Sequence, residues 1–102
     1  MASTKEYLEF VLEQLSALDG VSYRAMMGEY VLYYQGKVFG GIYDNRLLVK
    51  PVDAARRLLP DAPWELPYEG AKKMLLPDVD DRELLCTLLP AMLPELPDKK
   101  KK

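Results

Sequence analysis

The chain has 102 residues, of which 49% are hydrophobic and 29% charged, and its formal net charge is -2. This composition is typical of one compact globular domain and excludes a disordered chain, and no apolar run is long enough to span a bilayer. The absence of histidine excludes Ser-His and Cys-His catalysis and most transition-metal sites. The single cysteine and the absence of a signal peptide indicate a cytoplasmic protein.

The basic residues are unevenly distributed along the chain. Residues 99–102 are four consecutive lysines, which we expect to form a disordered tail after a single domain of residues 1–98. Without them, ten basic side chains stand against 16 acidic ones, so this domain carries a net charge of about -6. An acidic domain gains nothing from counterion release on DNA, so we expect no direct contact with nucleic acid. We expect no membrane contact either.

The first predicted element is a helix over residues 4–18. Ser3 and Glu6 have the spacing of a capping box at its start, and Gly20 is the expected C-cap. Apolar side chains recur at helical spacing between these signals, at Leu8, Val11, Leu12, Leu15 and Leu18.

A stretch rich in Tyr, Val, Ile, Leu and Phe follows, over residues 23–51. Such residues suit a half-buried pleated surface, and Gln35-Gly36 and Asp44-Asn45 suit tight hairpin loops. The stretch predicts a four-stranded antiparallel meander over residues 22–26, 29–34, 37–43 and 46–50. Gly40-Gly41 interrupts the third strand, which predicts a bulge, a bend or a close backbone approach. Several strands are apolar on both alternations, so we expect one face to meet helices and part of the other to be covered by a partner or by the chain itself.

The middle of the chain predicts a short helix and one more strand. Asp53 is the expected N-cap of a helix over residues 54–59. Residues 60–67 contain three prolines and predict a packed loop anchored by Trp64. Residues 71–76 are the predicted last strand.

The last predicted element is a helix over residues 81–89. Asp80 and Glu83 repeat the capping signature before a run of leucines. Pro90 lacks a backbone donor and should kink the helix, which we expect to continue toward Leu93. Across the fold we expect a buried core of Leu8, Leu12, Leu15, Leu32, Ile42, Leu47, Val49, Leu85 and Leu88.

Five short motifs follow one another along the meander. Residues 24–28, 30–33, 36, 38–42 and 47–50 are similar to the sequences R-x-M-F-G, G-L-Y, D-G, F-A-x-I and L-Y-L-K. With the methionine-led residues 74–77, they resemble the N-terminal domain of the TfoX/Sxy family, named for regulators of bacterial competence for DNA transformation. The resemblance implies an α+β fold, a curved antiparallel sheet with helices packed against it, and a regulatory association rather than a reaction. Met27 and Glu29 depart from the motif, which has an aromatic residue and a second glycine there.

The residues that could act as a nucleophile, a metal ligand or a stacking surface also have structural interpretations. Cys86 lies in the leucine run of the last helix and is interpreted as a structural cysteine, not a nucleophile. Asp78, Asp80 and Asp81 lack the glycine and distal glutamate of a calcium loop and are interpreted as capping residues. Six tyrosines could stack on single-stranded nucleic acid, although strand formation and core packing also account for them: Tyr23, Tyr30, Tyr33, Tyr34, Tyr43 and Tyr68.

Arg24 has two interpretations. Its guanidinium either pairs with a carboxylate such as Glu69 or Glu29, or it contacts a ligand. Together with the backbone amides of Gly40-Gly41 it could bind an anion.

The sequence therefore predicts a small cytoplasmic regulatory or adaptor module that acts through protein contacts, without catalytic residues, cofactor or metal. Its expected partners are an unidentified regulatory protein and a second copy of the chain, in a homodimer formed through sheet residues 30–43. The alternatives are a nucleic-acid-binding accessory protein and a domain that binds a small anionic ligand. The candidate interaction or ligand surface consists of Arg24, Gly28, Tyr30, Tyr33, Gly40, Gly41 and Tyr43.

Overall fold

The computed structural model describes residues 3–26, 28–67 and 69–96. The helices are α1 (Lys5–Gln14), α2 (Asp53–Leu58) and α3 (Arg82–Met92), which leads into a 3-10 turn at Leu93–Glu95. The strands are β1 (Val21–Met26), β2 (Glu29–Tyr34), β3 (Lys37–Ile42), β4 (Leu47–Val49), β5 (Trp64–Glu65) and β6 (Met74–Leu75). They form one antiparallel sheet in the order β1-β2-β3-β4-β6-β5. The predicted α+β fold is confirmed.

The two tight hairpins have the predicted loops. Gln35 and Gly36 have φ values of 55° and 84°, and Asp44 and Asn45 have values of 55° and 56°. Two consecutive positive φ angles define the type I′ turn, whose twist matches that of the flanking strands. The four strands of the predicted meander are found within one residue of their expected bounds.

One hydrophobic core lies between the helices and one face of the sheet, here called the helix face. α1 contributes Leu8 and Val11, its C-cap residue is the buried Leu15, and α3 contributes Leu85, Leu88, Leu89 and Met92, all at most 1% exposed. Eight of the nine predicted core residues are buried. Leu12 is the exception, since it is half-buried and packs against the edge of the core.

The N-terminal cap differs from the prediction by one residue. Thr4 is the N-cap of α1, and its Oγ1 accepts a hydrogen bond from the Tyr7 amide at 3.2 Å. α1 ends at Gln14 rather than at residue 18, and a series of turns leads from there to β1. Gly20 has a φ of 91° and lies in these turns, so it is not the C-cap of the helix.

Ser3 is occupied elsewhere, in a hydrogen-bond cluster that joins the N-terminal segment to the sheet. Its Oγ donates to Glu29 Oε1 at 2.5 Å and accepts from the Asn45 amide at 3.0 Å. The same Glu29 oxygen accepts from the amides of Ser3 at 3.1 Å and Asp44 at 3.2 Å, while Asn45 Oδ1 accepts from the Thr4 amide at 2.9 Å. We call Ser3, Thr4, Glu29, Asp44 and Asn45 the N-terminal clasp. It fixes the start of α1 against two separate turns of the sheet.

We expect Glu29→Ala to lower the free energy of unfolding by ~2 kcal/mol, because hydrogen bonds to a charged group each contribute ~1.5–3 kcal/mol and several depend on this oxygen. Urea denaturation followed by circular dichroism measures the change. Glu29→Gln keeps an acceptor oxygen and should lose less. Glu9→Ala, an exposed position on α1, is the matched control and should change stability by less than ~0.5 kcal/mol. An unchanged denaturation midpoint for Glu29→Ala would contradict the role of the clasp.

α1 is also linked to β4 through Tyr7. Burial raises the pKa of the Tyr7 hydroxyl above its ordinary value of 10.0, a hydrogen bond with the Leu47 backbone lowers it, and the charge of Asp80 raises it. The phenol is therefore protonated, and the hydroxyl can hold its contact with β4, throughout the neutral pH range.

Three predictions about the middle of the chain are wrong. Asp53 is the first residue of α2 rather than its N-cap, and its carboxylate pairs with Arg56 at 2.7 Å. The first turn of α2 is instead capped from a distance, since Glu95 Oε1 accepts from the Ala54 amide at 2.8 Å. Trp64 lies in β5 and is 48% exposed, so it does not anchor its loop. The last predicted strand is shorter than expected, at Met74–Leu75.

α3 and its N-cap each lie one residue later than predicted. Asp81 is the N-cap and accepts from the Leu84 amide at 3.1 Å, whereas Asp80 lies in the preceding turn. The helix passes through Pro90 to Met92 and continues as the 3-10 turn. This agrees with the predicted extension toward Leu93. No helix in the described part of the chain combines the length and the apolar character needed to cross a membrane.

Candidate functional site

The sheet has a second face, opposite the helices, which we call the outer face. In β2, Leu32 and Tyr34 point into the core, so the alternate residues Val31 and Tyr33 point outward. Val31 lies opposite Arg24 of β1, and Tyr33 lies opposite Val38 of β3. The predicted candidate residues have to be placed relative to this face.

A bulge and two glycines shape the outer face at β3. Leu32 pairs with Gly40 and Tyr33 with Val38, which leaves Phe39 as an extra residue in β3 and directs its ring into the core. A Cβ atom on Gly40 would lie 2.1 Å from the Leu48 carbonyl oxygen. One on Gly41 would lie 2.6 Å from the Tyr30 carbonyl oxygen and 2.7 Å from the Tyr43 ring. The predicted bulge and close backbone approach at Gly40-Gly41 are both confirmed.

A groove of about 400 Å³ opens beside this bulge. Three segments line it, namely β3 and its end, the residues that follow β4, and the segment that leads into β6. We call it the lysine groove. Its lining is Val38, Gly40, Tyr43, Lys50, Pro51, Val52, Pro67, Ala71, Lys72, Lys73 and Met74.

The charges in the lysine groove are all of one sign. Lys50 is half-buried, and Lys72 and Lys73 are exposed. Within the described residues none of the three forms an ion pair. By contrast, Arg46, in the loop between β3 and β4, is paired with Glu65 at 2.9 Å. The groove therefore combines an apolar lining with three positive charges that are not paired with any described carboxylate.

The structure brings together part of the predicted surface. Gly40 and Tyr43 line the lysine groove, and Gly41 lies beneath the Tyr43 ring. Tyr33 is half-buried on the outer face beside Val38.

The other three predicted residues lie apart from the groove. Arg24 is exposed on β1, and it forms no ion pair with the described carboxylates, so its predicted pairing with Glu69 or Glu29 is wrong. The Glu29 carboxylate instead accepts the hydrogen bonds of the N-terminal clasp. Tyr30 lies on the helix face, with its ring edge-on to Tyr23 at 5.8 Å. Gly28 lies in the β1–β2 turn, where its carbonyl accepts from the Ser3 amide at 3.1 Å.

Sequence reasoning missed the three lysines of the groove. A signal existed, since Lys50 closes one predicted strand and Lys72-Lys73 opens another. Only the pairing of β4 with β6, through Val49 and Leu75, places those two strands side by side.

β1 forms one edge of the sheet along six residues. Tyr23 and Met26 are 45% and 49% exposed, and the residues from Ser22 to Met26 are all exposed. A strand of this length offers unpaired backbone groups and apolar side chains together, which are the two requirements for pairing with another strand.

The remaining chemical candidates lie on α3 and in the turn before it. Asp81 caps α3, and Asp78 Oδ1 accepts from the Asp80 amide at 3.0 Å. Cys86 is a half-buried free thiol on α3. In the parts of the chain that the structure describes, no three His, Cys, Asp or Glu side chains come together in a way that could hold a metal ion.

Comparison with known proteins gives one family and one relative. The family model described as the TfoX N-terminal domain matches residues 13–84. A protein of Spirochaeta aurantia, described as "Uncharacterized 12.7 kDa protein in trpE 5'region", is 40% identical over 78 residues, which cover 76% of this chain and 68% of that protein. No solved structure matches.

Proposed function

The chain belongs to the TfoX N-terminal domain family, and from that premise we propose that it is a small cytoplasmic regulatory or adaptor module that acts through protein–protein contacts. The motifs of the meander resemble those of competence regulators, which supports extending the proposal to the control of competence for DNA transformation. The proposal includes no catalytic reaction, and a chain without histidine cannot perform Ser-His or Cys-His catalysis.

The observation that carries the proposal is the exposed edge strand β1. Its outer side has no neighbouring strand in the sheet formed by the described residues, and two of its large apolar side chains are about half exposed. Natural sheets usually protect such an edge with charges, prolines or short strands. β1 has one charged residue, Arg24, and no proline. An edge of this kind is suited to receive a strand from another chain.

We propose a second copy of the chain as one partner for this edge. The sequence predicted the contact within residues 30–43, but only the loop residues Gln35 and Gly36 of that stretch are exposed, and the exposed large apolar side chains Tyr23 and Met26 lie one strand earlier. In a two-fold dimer with antiparallel edges, corresponding side chains stay on the same face of the joined sheet. A register centred on Tyr23 then places Arg24 opposite Ser22 of the second copy and avoids a contact between two arginines.

Sedimentation equilibrium at tens of micromolar tests the dimer. We expect about twice the chain mass of 11.7 kDa for the native protein. Charging the edge with Tyr23→Lys and Met26→Lys should give the monomer mass, since lysines on an edge strand oppose strand pairing. Trp64→Lys, an equally exposed aromatic position on β5, is the matched control and should remain dimeric. A native monomer would contradict the proposed self-association.

The adaptor role has its own test. The native protein and the Tyr23→Lys/Met26→Lys variant are used as paired baits in cross-linking capture from cells of the source organism. We expect a protein recovered with the native bait and lost with the edge variant. Recovery of the same proteins with both baits would contradict a role for β1.

A further inference from the structure

The lysine groove has the size and lining of a small-molecule site. Its volume of about 400 Å³ lies at the lower end of the range for such sites, ~300–1,000 Å³. Val38, Tyr43, Val52 and Met74 provide apolar surface in its lining. Sites of this kind bury the apolar body of a ligand and orient it with a few polar or charged groups.

The charged groups in the groove are Lys50, Lys72 and Lys73. They come from two segments that are distant in sequence, and the pairing of Val49 with Leu75 brings those segments together. The chain as a whole has an excess of acidic residues, yet no described carboxylate is paired with these lysines. Like charges in one concave site repel each other, and they raise the local concentration of anions.

We propose that the lysine groove binds a small organic anion with an apolar body, such as an aromatic or aliphatic carboxylate or phosphate ester. The apolar body contacts Val38, Tyr43 and Met74, and the anionic head is held by the lysines. This site is separate from the β1 edge, so it does not depend on the proposed dimer.

The probe for the test is 8-anilino-1-naphthalenesulfonate, which combines an aromatic body with one negative charge. Its neutral analogue N-phenyl-1-naphthylamine has the same rings without the sulfonate. Fluorescence titration of the native protein should give saturable binding of the sulfonate with one site per chain. The neutral analogue should bind about tenfold more weakly, as expected for the loss of several solvent-accessible charge contacts. Salt at about 1 M should weaken the binding of the sulfonate, because salt screens exposed charges, and should leave the binding of the neutral analogue unchanged.

Three variants locate the binding. Replacing Lys50, Lys72 and Lys73 together with methionine should reduce the affinity for the sulfonate about tenfold and leave the neutral analogue unchanged. Lys5→Met, at an exposed lysine on α1, is the matched control and should have no effect. Ala71→Trp fills the groove from a loop position and should abolish the binding of both probes.

Sulfonate binding that survives Ala71→Trp would overturn the proposal, because the probe would then occupy another surface. Equal affinity for the two probes would also overturn it, since the lysines would then select nothing. So would binding of a polyglutamate peptide without binding of the sulfonate, which would assign the groove to an acidic polypeptide.

Discussion

Replacing Gly40 with alanine is expected to destabilise the fold by ~3 kcal/mol or more, at or above the upper end of what overpacking costs. The added Cβ would lie 2.1 Å from the Leu48 carbonyl oxygen and 2.8 Å from the Val49 Cα. Both are backbone atoms of the adjacent strand, so no side-chain rotation can relieve the clash. β3 and β4 would have to separate at the centre of the sheet. A domain of this size has only ~5–15 kcal/mol of total stability, so the loss should be a large fraction of it.

Urea denaturation followed by far-ultraviolet circular dichroism measures this effect, and thermal melting of the purified variant serves if the midpoint is too low to fit. Gly36→Ala is the control. Its position has nothing within 4 Å, but its φ of 84° is unfavourable for alanine, and we expect a cost of about 1 kcal/mol. A smaller loss for Gly40→Ala than for Gly36→Ala would show that β3 and β4 are not as close as described.

Leu88→Ala is the second large effect, and we expect it to cost ~2–5 kcal/mol. Leu88 is fully buried on α3 and belongs to the core cluster, so truncation leaves a cavity as well as losing apolar contact. Leu12→Ala should cost less, because that side chain is half-buried at the core edge.

The comparison is again a urea titration. Leu66→Ala is the control, since Leu66 is 43% exposed, and its loss should stay within ~0.5 kcal/mol. If Leu88→Ala cost less than about 1 kcal/mol, the apolar stripe of α3 would not face the sheet.

The sequence predicted the elements whose causes are local. The meander follows from residue types that favour strands, separated by loops that tolerate positive φ, and both hairpin turns are found where Gln35-Gly36 and Asp44-Asn45 predicted them. The core positions on α1 and α3 follow from helical spacing in the same way. The bulge and the close backbone approach at Gly40-Gly41 were also predicted, since glycine inside a strand often indicates one of these features.

The sequence did not predict features that depend on residues distant in the chain. Ser3 had the spacing of a capping residue, but Glu29 and Asn45 compete for its hydroxyl, and Thr4 caps the helix instead. Trp64 was expected to anchor a packed loop, yet it lies on an edge strand and is 48% exposed. The lysine groove arises only where β4 meets β6. The spacing of side chains within one segment does not show which distant strand that segment will pair with.

The two edges of the sheet differ, and this difference limits how far strand pairing can extend. β1 is six residues long, whereas β5 at the opposite edge has two residues and lies between Pro63 and Pro67. Proline has no amide hydrogen to donate, so the two prolines and the short length of β5 make this edge poorly suited to extend a ladder. Two copies joined through β1 would present a β5 edge at each end of the combined sheet. Growth by edge pairing would then stop at two chains and would not continue into a fibre.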